Sequence, residues 1–170
     1  MDRLFVRQAV LADAEQIARV HVASWRVAYG EFMPPKQKAW ISERREVRRA
    51  GDLILNPETP YLVAEGGNSI VGFLVYGPPG DECDPTSTMQ IYTFFVDPQR
   101  YRQGIGTQLL ATMESEIRTP EITVWVMTQG VHGPRFYARS GFRREAETEK
   151  MFRLIDADFP IVRYRKKRIH

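Results

Sequence analysis

Short runs of β-branched and aromatic residues at 4 to 10 (LFVRQAV), 61 to 65 (YLVAE), 69 to 77 (SIVGFLVYG), 91 to 96 (IYTFFV) and 122 to 127 (ITVWVM) predict strands. Between the first two runs, Ile17, Val20, Ala23 or Ser24, and Val27 recur every three to four residues. That period predicts a helix from 13 to 29 with one buried face and Asp13 near its start. The segment MPPKQKAWISERREVRRAGD reads as a second, more polar helix, opened by Pro34-Pro35 and ended at Gly51. Gly66-Gly67-Asn68 separates the next two strands and predicts a hairpin.

Residues 78 to 88 (PPGDECDPTST) are rich in turn formers and predict a loop. An amphipathic helix is expected over 104 to 118, a short one around GPRFYARS, and strands at GFRREAE, MFRLI and IVRYRKK. Strand, two helices, three strands, helix, strand, helix, strands is the order of a mixed α/β sheet with helices on its faces. No repeat or low-complexity tract divides the chain, and its 170 residues, 43% hydrophobic, fit one domain over 1 to 170.

Composition narrows the function less than the pattern narrows the fold. The net charge of +3 is compatible with an anionic ligand but far from a nucleic-acid signature. Cys83 is the one cysteine, which excludes an intrachain disulfide and a Cys-rich zinc site. His21, His132 and His170 have no metal-ligand spacing, so no metal is expected. With no signal-like N-terminus and no apolar run long enough for a membrane, a cytoplasmic location is the expectation. In RYRKKRIH, the alternation of Ile161, Arg163 and Arg165 with Val162, Tyr164 and Lys166 predicts a last strand with solvated basic ends rather than a nucleic-acid tail.

The chemistry concentrates in IYTFFVDPQRYRQGIGTQLLATMESEI, where a strand passes through a loop into a helix. The first amides of a helix lack intrahelical acceptors and carry the positive end of its dipole. Gly104 and Gly106 remove Cβ atoms that would hold a phosphate away from those amides, and Arg100 and Arg102 add positive charge. A phosphate or pyrophosphate is the ligand that suits such a mouth. It is not a Walker loop, since no Lys follows. Nor is it a Rossmann loop, since Leu109 stands where a third small residue belongs and Met127 where an acid belongs.

Strand, RQGIGT, amphipathic helix, ITVWVM and RFYARSGFRRE together resemble the GNAT superfamily of acetyl-CoA-dependent N-acetyltransferases. RQAVLADAEQIARVHVASWRVAY and YLVAEGGNSIVGFLVYG extend the resemblance over nearly the whole chain. It implies a single α/β domain whose mixed, mostly antiparallel sheet of about six to seven strands is flanked by about four helices. It also implies that the amides of Arg102, Gln103, Gly104, Ile105, Gly106 and Thr107 bind the diphosphate of acetyl-CoA. Phe95 and Val96 then hold the pantetheine arm through their backbone, in a cleft opened where the strand splays at a bulge. Tyr137 falls where the family places a tyrosine near the thioester sulfur, as general acid to the departing thiolate. Phe136 and Phe142 are expected in the core.

The sequence departs from the family pattern at Tyr101, where Gln or Arg is usual, and at Gly130, where many members have an asparagine, followed by Gly133-Pro134. Gln90 stands near a position where relatives often carry a glutamate proposed as general base. Either a group such as Glu31 takes the proton through water, or the acceptor amine has a low pKa. The amide N-H of Phe95 or Val96 is the expected donor to the oxyanion. Trp25, Arg26 and Tyr29 are the acceptor-site candidates, because the same region lines that pocket in similar proteins; a helix face on which Trp25 and Tyr29 pack together is the structural alternative. Cys83 has no histidine neighbour in sequence, so attack in a ternary complex is expected rather than a covalent intermediate.

The expected function is thus transfer of acetyl from acetyl-CoA to a primary amine of a small molecule or peptide. A non-catalytic acyl-CoA-binding regulatory module is the alternative, and neither nucleic acid nor membrane is an expected partner. Relatives often form homodimers, although nothing in this sequence marks an interface.

Overall fold

The computed structural model describes residues 4–80 and 83–168. Its strands are β1 (Leu4–Gln8), β2 (Tyr61–Gly66), β3 (Ser69–Gly77), β4 (Thr88–Val96), β5 (Glu121–Met127), β6 (Arg143–Leu154) and β7 (Ala157–Lys167). They form one seven-stranded sheet in the order β1-β2-β3-β4-β5-β7-β6. Every neighbouring pair is antiparallel except β4 and β5. The helices are α1 (Ala14–Tyr29), α2 (Pro35–Trp40), α3 (Glu43–Ile54), α4 (Ile105–Glu116) and α5 (His132–Arg139).

The sheet buries both faces, which explains why β2 and β3 read as continuous apolar runs. On one face, Ile105, Leu109, Leu110 and Met113 of α4 pack with Ile91, Ile122, Val124, Tyr137 and Tyr164. On the other, Ala14, Ile17 and Val20 of α1 pack on Val63, Phe73 and Val75. α4 comes so close to β3 that a Cβ on Gly72 would lie 3.0 Å from Ile105 Cγ2 and 3.2 Å from Leu109 Cδ1.

Val27 departs from the expected buried face of α1: it is 50% exposed, and Ser24 rather than Ala23 is buried. The reason is a change of partner along the helix. Its second half buries Val22 and Trp25 in a third cluster with Met33, Ile41, Leu154 and Phe159, and Tyr29 packs against it. The polar helix after Pro34-Pro35 is two helices, because Ile41 and Ser42 are extended and Ile41 is buried in that third cluster. Gly51 does not end the second of them; α3 continues to Ile54, with Gly51 facing Leu11.

Gly67 and Asn68 both take positive φ, 61° and 63°, as a two-residue hairpin turn of the I′ type requires. GFRREAE and MFRLI belong to one strand, β6, whose register shifts between Glu145 and Lys150. The basic end of the chain is not solvated as expected. β7 lies inside the sheet, where Arg163 and Arg165 pair with Glu145 at 2.5 and 2.7 Å, and Arg165 also meets Glu121. Lys166 pairs with Glu114 at 2.5 Å, and Arg168 donates to the carbonyls of Glu114, Ile117 and Thr119. Three strands, β5, β6 and β7, together with α4 thus spend this basic charge internally.

Candidate active site

The site begins where the parallel pair comes apart. β4 and β5 are in register from Thr88 opposite Glu121 to Ile91 opposite Val124, and no further. At the same place β4 shifts register against β3: Val75 faces Thr93 while Tyr76 faces Ile91, so Tyr92 is an extra residue. Such a bulge bends and twists the strand that carries it. Beyond it, β4 and β5 diverge around a gap.

The direction of the β4 backbone beyond the bulge follows from one bond. Asp97 N-H donates to Val71 O at 2.9 Å. Antiparallel pairs alternate, so Phe95 exchanges its bonds with Phe73, while the N-H and C=O of Phe94 and Val96 point away from β3. Consistent with this, Phe95 O lies 3.2 Å from where a Gly72 Cβ would be, and Val96 O accepts from Ser24 Oγ of α1 at 2.8 Å. The backbone open to a ligand is therefore the N-H and C=O of Phe94 and the N-H of Val96; Phe95 is spent on β3. Residue type carries no signal for this, since the property belongs to strand phase.

The loop after β4 is built for anions. Asp97 accepts from Gln99 N-H and opens a short turn, Pro98–Arg100. Arg102 and Gly104 then take positive φ, 64° and 80°, around Gln103 and ahead of α4. Alternation of this kind curls successive amides toward one point, a nest. Among the described residues, no acceptor meets the N-H groups of residues 102 to 107; the first to be satisfied is Gln108, by Gly104 O.

Each of the two glycines also has a role within the chain itself. A Cβ on Gly104 would meet nothing within 4 Å, so this glycine serves its left-handed conformation. A Cβ on Gly106 would come within 3.0 Å of the Phe136 ring, so this one allows α5 to close on α4. Arg102 is exposed, whereas Arg100 Nη2 lies over Gly66, so the mouth's side-chain charge comes from Arg102.

Tyr137 is 6% exposed, on α5, between the rings of Phe136, Phe142, Phe94 and Tyr164 at 5.2 to 6.4 Å. Burial pushes its phenol well above the ordinary tyrosine range, and the nearby Tyr29 adds to the shift. Burial likewise pushes Tyr29 up to about 12, with Tyr101 contributing. These phenols thus gather at one end of the gap, all neutral at physiological pH. The missing asparagine at Gly130 has a neighbour: a Cβ there would touch the Tyr29 ring at 3.4 Å. Gly133-Pro134 does not prevent α5 from forming, since it lies in the first turn.

On the opposite face of β4, Phe95 packs against His21 (ring centroids 4.8 Å apart), Phe73 and Tyr29. Trp25 is 5% exposed and packs edge-on to Tyr29, Arg26 is exposed, and Glu31 is exposed on the turn after α1. Of the acceptor candidates, Tyr29 is the one that reaches both Phe95 and the α5 end of the gap.

Sequence reading weighed His21 only as a metal ligand; its Nδ1 lies 2.9 Å from the buried Glu46 Oε2. Burial works to raise the Glu46 carboxyl, but contact with His21, helped by Arg49 and Arg45, outweighs it and holds the group below its ordinary range. The same reading passed over Thr123, fully buried beside Gln90. Among the described residues, no group of three or more His, Cys, Asp or Glu is placed to hold a metal, and no helix is long and apolar enough to cross a membrane.

Known proteins share this build. Over 106 residues, 62% of this chain and 60% of the other, the sequence is 30% identical to the uncharacterized N-acetyltransferase YuaI of Bacillus subtilis (strain 168). Over 169 residues, 94% of this chain and 91% of the other, it is 24% identical to the probable N-acetyltransferase Rv2775 of Mycobacterium tuberculosis. The fold matches that of the PaiA N-acetyltransferase from Thermoplasma acidophilum, solved in complex with coenzyme A, with TM-score 0.75, 20% identity and coverage of 98% and 99% of the two chains. Residues 15–142, which hold the split strands, the amide nest and Tyr137, match the model of the Acetyltransferase (GNAT) family, and the chain belongs to that family.

Proposed function

We propose that the protein transfers acetyl from acetyl-CoA to a primary amine of a small molecule or peptide, by direct attack in a ternary complex. The observation that carries this reading is a run of open backbone: the N-H and C=O of Phe94 and the N-H of Val96, whose carbonyl is held by Ser24, lead into the unpaired amides of residues 102 to 107. That run matches an extended amide-bearing arm ending in a diphosphate. The amides of Arg102, Gln103, Gly104, Ile105, Gly106 and Thr107 would hold the diphosphate, supported by the α4 dipole. Phe94 and Val96 would hold the pantetheine as an added strand.

The amide of Val96 or Phe94 would stabilise the oxyanion as the amine attacks the thioester carbon. Tyr137 would give its proton to the departing sulfur; its raised pKa keeps that proton available. The amine must be neutral to attack. A lysine-type amine costs roughly 4.6 kcal/mol to deprotonate at pH 7 and an α-amine roughly 1.4. Gln90 takes no proton, so the proton leaves through water to a group such as Glu31, or the amine binds uncharged. The same replacement is what favours the second reading, a regulatory module that binds acyl-CoA without turnover.

Thiol release from acetyl-CoA, measured with and without a panel of primary amines, separates the two. Amine-dependent release with matching N-acetyl product is expected. Saturable acetyl-CoA binding with no release across the panel would support the regulatory module instead.

A further inference from the structure

Two buried oxygens at the fork of the sheet lack partners. Gln90 and Thr123 face each other across β4 and β5, one pair before the register ends at Ile91 and Val124. Because Ile91, Ile122 and Val124 enter the core under α4, alternation turns Gln90 and Thr123 to the opposite face. Gln90 Oε1 and Thr123 Oγ1 are both buried and meet no hydrogen-bond partner, and Thr123 as a whole is 0% exposed.

Such atoms are expensive. Each unsatisfied buried polar group costs about 1 to 3 kcal/mol, and valine would fill the threonine's space without that cost. The carboxylates on this face do not explain the pair: Glu145 holds Arg163 and Arg165, and Glu121 holds Arg165. What remains is a pair of neutral acceptors on the face of β4 away from Tyr137, at the point where the strands part.

Resting on the acetyl-transfer reading, we propose that Gln90 Oε1 and Thr123 Oγ1 seat the acceptor amine, accepting its two N-H bonds in the uncharged state. The seat and the acid then lie on opposite faces of the sheet, so nitrogen approaches the thioester carbon from one side and sulfur departs toward the other. The nitrogen lone pair forms the N-C bond, the C-S bond breaks with its electron pair on sulfur, and Tyr137 protonates the sulfur. The proton lost from nitrogen returns through water to the Tyr137 oxygen, so amine and thioester give amide and thiol. Gln90, which cannot be a base, acquires a positioning role.

Hydroxylamine, uncharged at neutral pH, is the probe. Initial rates with acetyl-CoA are measured for the wild type, Thr123→Val, Thr123→Ser and Gln90→Met, after acetyl-CoA binding to each is verified. Thr123→Val and Gln90→Met should each raise the hydroxylamine KM by about three- to tenfold, one lost hydrogen bond, with acetyl-CoA KM unchanged. Thr123→Ser should stay near wild type, and Thr123→Val should melt no lower than wild type. Equal hydroxylamine KM in all four proteins would overturn the inference and leave the oxygens to a structural water. A parallel rise in acetyl-CoA KM would overturn it too, as lost packing. Bound acetyl-CoA with no enzyme-dependent transfer to hydroxylamine by the wild type would overturn the amine seat, whereas the acetyl-transfer reading falls only if the panel of primary amines also gives no release.

Discussion

Burial sets the proton affinity of Tyr137. A phenol in water already holds its proton at pH 7; here aromatic rings and Tyr29 push its pKa higher still. The sign matters: a raised pKa extends the acid form to higher pH, so ionisation of this residue does not set an alkaline limb near neutrality. Tyr137→Phe should lower kcat by about a hundredfold or more while acetyl-CoA affinity, measured by calorimetry, stays constant. An unchanged kcat would make the residue a packing element. The glycines teach a related lesson at the same scale. Their positions were readable in RQGIGT, but not that Gly104 serves a left-handed φ and Gly106 the approach of Phe136. That second neighbour is thirty residues away in the chain and invisible to local pattern.

Between elements, the clearest constraint is the clamp from β1 to the start of α1. Arg7 gives Asp13 two hydrogen bonds, at 2.7 and 3.0 Å, and Val10 N-H gives a third at 2.8 Å. Arg7 holds the Asp13 carboxyl below its ordinary range, with burial opposing and the Val10 amide adding to the depression. A depressed folded-state pKa contributes stability that is present above the ordinary carboxylate value and lost as pH falls below about 4. Asp13→Asn should therefore cost about 1 to 2 kcal/mol at pH 7, with Arg7 partly exposed, and flatten the acid limb of a stability-versus-pH curve measured in urea. An acid limb identical to wild type would show that the clamp adds nothing.

Element types were legible because the strands read as short β-branched and aromatic runs and α1 as a repeat every three to four residues. Ends and breaks were not. Gly51 reads as a stop, yet three residues beyond it stay helical against Leu11, and Ile41 breaks the polar helix because it is needed in a core built mostly from distant residues.

At the scale of the molecule, the order of strands decides the site. Because β7 inserts between β5 and β6, the chain's basic end is consumed by Glu145, Glu121 and Glu114 rather than offered to a polyanion. Because β4 and β5 are the one parallel pair and part at Tyr92, the gap opens beside the amide nest. The sequence carried the nest's glycines and the resemblance that implied a cleft. It did not carry the phase of β4, which assigns the open backbone to Phe94 and Val96, nor the pairing that sets Gln90 beside Thr123.

On the proposed reading, this gap and nest hold the diphosphate and pantetheine of acetyl-CoA, and thermal unfolding with acetyl-CoA, CoA, NADH or ATP, each in large excess, reads that binding out. A ligand at about a hundred times its Kd adds roughly 2.7 kcal/mol to the native state. For a chain of this size that raises Tm by about 5 to 10 °C. Acetyl-CoA and CoA should produce that shift and NADH and ATP should not. No shift with either thioester or thiol would mean that the nest is only a turn and the gap only a bend in the sheet.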